Sequence, residues 1–147
     1  MKKIIFTVFS ICILFSCSND DESTTTEFDA KQYPQKWQLI EMTGSIANVP
    51  PTRGNDMEWQ EYYILQSNKT FIKSREVNSE ITEATGTYKF ITLSDDTYIE
   101  LLYPSNNILI GNCTAEHKEL IRVNTNDKLT GTWAACDGPG LFYQRIE

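Results

Sequence analysis

Beyond residue 33 the chain alternates between apolar and polar positions in short bursts. Runs rich in Ile, Val, Thr, Tyr and Phe are broken by turn residues, and no long helical period appears. The pattern predicts strands at 36–43, 59–66, 69–77, 80–92, 97–103, 108–113, 118–124, 128–136 and 141–146. Between them lie Ser67-Asn68, Asn78-Ser79, Ser94-Asp95-Asp96, Pro104-Ser105-Asn106-Asn107, Asn124-Thr125-Asn126-Asp127 and Asp137-Gly138-Pro139-Gly140. Each supplies residues that tolerate a left-handed backbone or fix it through proline. A strand plus its turn takes about ten residues, the spacing of an antiparallel meander. The connection Gly44–Glu58, with Pro50-Pro51 and Gly54-Asn55-Asp56, is longer than a hairpin needs and reads equally as a binding loop or an idle one.

Successive antiparallel strands leave unpaired edges that invite aggregation, and closing the sheet removes them. The expected fold is therefore all-β, an antiparallel up-and-down β-barrel of eight or nine strands over residues 34–147. A two-sheet sandwich is the rival, which the short hairpin turns disfavour. About eight strands leave room for packed side chains or for one small ligand.

Strand alternation assigns faces. With Phe71 inward, Lys73 and Arg75 follow on the same face, and Leu120 and Arg122 would do likewise on 118–124. Tyr88 and Phe90 share a face, as do Trp59, Tyr63 and Leu65. This predicts an aromatic-walled cavity with Lys73, Arg75 and Arg122 near one rim, suited to an anionic amphiphile, since a buried charge needs a partner. The competing reading places the three cations on a solvated face and makes the aromatics simple core.

The first residues carry a different pattern. Met1-Lys2-Lys3 precedes the apolar run Ile4–Ile13, too short to span a membrane as a helix, and the whole reads as a secretory signal. Leu14-Phe15-Ser16-Cys17 closes it and resembles the lipobox of bacterial lipoproteins. That resemblance implies cleavage after Ser16, acylation of Cys17, and membrane attachment through the acyl chains. Residues 18–33 hold Asp20-Asp21-Glu22 and little apolar matter, reading as a flexible acidic tether. The acids directly after Cys17 resemble the signal that sends some lipoproteins to the outer leaflet, so the expected location is the outer membrane, at the cell surface or facing the periplasm.

Loss of Lys2 and Lys3 with the leader leaves 11 cations against 20 anions, a formal −9. Such a chain is a poor partner for nucleic acid. Of the four Cys, the leader takes Cys12 and the lipid Cys17, which leaves Cys113 and Cys136 to form one disulfide in an oxidising compartment. Free thiols or half of a metal site are the alternatives. With His117 the single imidazole, no metal or other cofactor is expected.

Residues 34–147 resemble the small lipocalin-like domains of bacterial lipoproteins. The resemblance rests on Trp37 early in the first strand, Asn68-Lys69-Thr70-Phe71, Gly86-Thr87-Tyr88 and the closing Tyr143-Gln144-Arg145. It implies that Trp37 sits at the closed end of a barrel with Arg145 lying over its ring. The chain departs from the family pattern at Gln35 and Lys69, where glycine is usual.

No Gly-x-Ser-x-Gly elbow, phosphate-binding glycine loop or His-Glu-x-x-His is present, and neighbours Asp95-Asp96 point oppositely on a strand. The protein therefore reads as a binding module rather than an enzyme. The first expectation, carried by the resemblance, is a small hydrophobic or amphipathic ligand inside the barrel. The alternatives are a filled barrel acting through loops 44–58 and 137–140, and a glycan-uptake accessory stacking sugars on Trp59 or Trp133.

Overall fold

The computed structural model describes residues 32–44, 49–114 and 116–147; the leader, Cys17 and the acidic tether lie outside them. Nine strands form: β1 (Gln35–Thr43), β2 (Thr52–Arg53), β3 (Gln60–Leu65), β4 (Thr70–Val77), β5 (Glu80–Leu93), β6 (Asp96–Leu102), β7 (Lys118–Thr125), β8 (Lys128–Gly131) and β9 (Gly140–Arg145). All pairings are antiparallel, in the order β1-β3-β4-β5-β6-β7-β8-β9, and β9 returns to β1. Eight strands thus close a barrel, and the two residues of β2 pair with Glu41 and Met42 at the end of β1, beyond its ladder with β3.

Turn chemistry fixes the hairpins. Asn78 and Ser79 both have positive φ (51° and 67°), as do Ser94 and Asp95 (49° and 71°), which suits tight two-residue connections between twisted strands. Lys69 also has a left-handed φ of 67°, a conformation that glycine adopts at least cost. A bulge between Leu39 and Glu41 changes which β1 residues face inward. Trp37 and Leu39 point into the barrel before it, and Met42 after it.

Two sequence expectations need correction. Residues 108–113 form no strand, because Leu109 N–H bonds the Asn107 side chain at 3.0 Å and the segment turns inward. Residues 132–136 leave the sheet as a short 3-10 turn, Trp133–Cys136. Both belong to loops of one barrel end, with 49–59 and the β4–β5 turn. Cys113 and Cys136 are joined there as a disulfide with Cα atoms 5.5 Å apart.

The core is one cluster along the barrel axis. Trp37, Leu39, Leu65, Phe71, Ile99, Leu101, Ile121, Leu129 and Leu141 are each at most 2% exposed. Burying such side chains contributes about 1.5–3 kcal/mol each relative to exposure.

Candidate functional site

The distinctive feature of the interior is charge. Alternation on β4 carries Phe71, Lys73 and Arg75 inward, and the Lys73 side chain has no solvent exposure. Its ammonium donates to Glu119 Oε1 and Oε2 (3.0 and 3.1 Å) and to the Leu109 carbonyl (2.6 Å). It also lies 3.4 Å from Glu61 Oε1 and 4.9 Å from the Tyr63 ring centroid.

Each carboxylate is met from several strands. Glu119, on β7, accepts hydroxyl bonds from Tyr63 (3.0 Å) and Tyr103 (2.6 Å). Glu61, on β3, accepts from Tyr143 (2.6 Å) and from Arg75 Nε (2.6 Å). Two cations and two anions therefore neutralise one another, and the tyrosine hydroxyls fill remaining acceptor positions. A buried charge survives only under such pairing.

Burial, followed by the nearby carboxylates, raises Tyr63 and Tyr143 well above the ordinary phenol range. Burial and Glu119 raise Tyr103 likewise. Burial would lower Arg75, but Glu61 outweighs it and holds the guanidinium above its ordinary value. The network thus keeps its tyrosines protonated and its arginine charged.

The loop ending at Cys113 seals this network. Leu109 is 1% exposed while neighbouring Ile108 is 80% exposed, so one residue plugs the barrel and the next faces water. Gly111 packs so closely on Trp133 that an added Cβ would sit 3.0 Å from both that ring and Glu119 Oε1. The disulfide ties this loop to the turn that carries Trp133.

The predicted site residues separate. Lys73, Arg75, Tyr63 and Trp59 do come together, with the Arg75 guanidinium 4.3 Å from the Trp59 ring centroid. Arg122 does not join them. On β7 it is Glu119 and Ile121 that face inward, so Arg122 lies outside, 2.8 Å from Asp96. Leu120-Arg122 and Glu119-Ile121 each pair one apolar residue with one charge, so alternation could not choose between them.

Tyr88 and Phe90 pack toward the other end, edge to face at 5.8 Å, with the Lys69 ammonium 5.3 Å from each ring. Arg145 stands opposite Trp37 in the β1–β9 register, and its guanidinium bonds the backbone oxygens of Glu147 and Gln32. Gln35 is fully buried and accepts from Trp37 Nε1 at 3.3 Å. Sequence reasoning missed Glu61 and Glu119, the anions that partner the two lysine and arginine charges.

Surface grooves lie elsewhere. One of about 620 Å³ runs over the outside of β4, β5 and the end of β6, between Ile72, Thr85, Leu102 and Pro104. A smaller one of about 210 Å³ lies beside Trp59, Glu76 and Asn78. No family model matches the chain, and comparison with curated proteins and with solved structures returns no match.

Proposed function

We propose that the protein is an outer-membrane lipoprotein, anchored through Cys17, whose barrel is a filled scaffold for interaction rather than a carrier's container. One observation carries this reading. The axis of the barrel is occupied by Lys73, Glu61, Glu119, Arg75 and their tyrosine partners, under the Leu109 plug. A bound anion was the natural partner for unpaired cations, but here the carboxylates of Glu61 and Glu119 hold that place. Admitting a ligand would separate buried ion pairs, and leaving one member buried without its partner costs about 3–5 kcal/mol. Function then falls to the outer surface and the loops around the Leu109 plug.

Native mass spectrometry of the purified protein tests this. The mass should equal that of the acylated chain, and an anionic fluorescent lipid should bind no more to the wild type than to Arg75→Gln. A stoichiometric apolar molecule inside the protein would restore the carrier reading. Cys17→Ser should release the protein from membranes, and continued retention would remove the anchor.

A further inference from the structure

The barrel is closed along most of its height but not all of it. β5 pairs with β4 without interruption from Glu80 to Thr87. On its other side β6 pairs with it only from Thr87 onward. β6 ends at Leu102, and Pro104 beyond it has no N–H with which to extend the ladder. Among the described residues, no strand pairs with the β6-facing edge of residues 80–86.

The direction of the free groups follows from the ladder. Tyr88 N–H donates to the Lys69 carbonyl at 2.8 Å, so even-numbered residues of this half turn their backbone groups toward β4. The N–H and C=O groups of Ile81, Glu83 and Thr85 therefore point away from it, along the open edge. Their side chains are exposed on the outer face, with Ile81 at 63%. The end of the 620 Å³ groove bounded by Thr85, Leu102 and Pro104 abuts this edge.

We propose that the open edge of β5 receives an extended segment of another protein, added as a strand, with Lys or Arg opposite Glu83 and apolar residues beside it. This rests on the reading of the barrel as an interaction scaffold and names its partner class. Main-chain bonds supply affinity in such strand addition, and alternate side chains supply selectivity. Charge selects the occupant. Glu83 and Glu76 lie on the same outer face without an ion-pair partner among the described residues. Two copies pairing edge to edge with full overlap would place Glu83 against Glu83, and like charges directly opposite are destabilising. An acidic edge that rejects its own copy accepts a basic strand.

The experiment uses the full-length protein and a short fluorescein-labelled peptide alternating valine and lysine. Two further peptides carry backbone N-methyl groups on one or the other set of alternate residues. In strand addition one set faces β5 and the other faces water. One methylated peptide should therefore bind like the parent while the other loses binding. Hydrogen exchange should slow at the amides of Ile81, Glu83 and Thr85 and stay unchanged at Thr82 and Ala84. Glu83→Lys, an outward substitution, should weaken the lysine peptide about three- to tenfold and favour a valine–glutamate peptide instead.

Equal binding of both methylated peptides, or no binding by any peptide, overturns the proposal. Protection confined to loop 137–140 would overturn the edge while leaving the scaffold reading intact. A small molecule found inside the barrel would overturn that reading separately.

Discussion

Replacing Lys73 with Met keeps the volume of the side chain and removes its charge, which isolates what the ammonium does. In the native protein it bridges Glu119 and Glu61 and donates to the Leu109 carbonyl. Without it, the interior holds two carboxylates against Arg75 alone. Removing one member of a buried pair typically costs about 3–5 kcal/mol, because the partner charge remains desolvated. The Leu109 carbonyl also loses its donor, a further contribution of about 1–3 kcal/mol where no water replaces it. Together these give an expected loss of about 4–8 kcal/mol in urea unfolding at neutral pH, with the m-value preserved. One internal control follows. Adding Glu119→Gln to Lys73→Met restores neutrality, so the double variant should be more stable than the two single losses summed. A loss below about 1 kcal/mol, or strict additivity, would refute a desolvated and mutually dependent network.

Three other outcomes follow from the same geometry. The Cys113–Cys136 bond closes a loop with a sequence separation of 23, for which chain entropy gives about 3 kcal/mol. Reduction should lower the melting temperature and speed exchange at Leu109 N–H, and an unchanged melt after verified reduction would contradict the stapled plug. Trp37→Ala should cost about 3–5 kcal/mol, because the indole is fully buried; a loss under about 1 kcal/mol would contradict that placement. Tyr63, Tyr103 and Tyr143 keep their protons in the folded state beyond the pH at which unfolded tyrosines ionise, near 10. Their contribution is fully present below that pH and lost above it. By pH 11 each has given up about 1.4 kcal/mol, about 4 together, so stability should fall steeply. Phenolate absorbance should show these three titrating with unfolding, and full titration of a still-folded protein would contradict their burial.

Much of the barrel was legible in the chain because period-two alternation and turn residues act locally. The β4–β5 hairpin illustrates it: Asn78-Ser79 marks the turn, and Phe71, Lys73 and Arg75 share the inward face. Length was less legible. β8 stops at Gly131 because the chain from Trp133 turns toward the disulfide, a constraint set by a distant cysteine. Ile108–Cys113 has strand-like composition, but Leu109 is drawn inward by contacts no local pattern encodes.

The charge network was half legible. Glu61 lies between Trp59 and Tyr63 on the face read as inward, so carrying alternation through would have set an acid opposite Lys73 and Arg75. Glu119 carried no such signal, because either register of β7 buries one apolar and one charged residue per pair. The choice is made by Lys73 and the hydroxyls of Tyr63 and Tyr103, which only the closed sheet brings together. The leader and Cys17 rest on sequence pattern alone.

The filled interior meets its most direct test in amine labelling of the native protein, read lysine by lysine by mass spectrometry. Lys73, with no exposed side-chain surface, should stay unmodified until the protein unfolds, while exposed Lys89 and Lys128 react at once. Labelling of Lys73 at the rate of Lys89 in the folded protein would mean an open, solvated barrel and would contradict the claim that its own charges fill it.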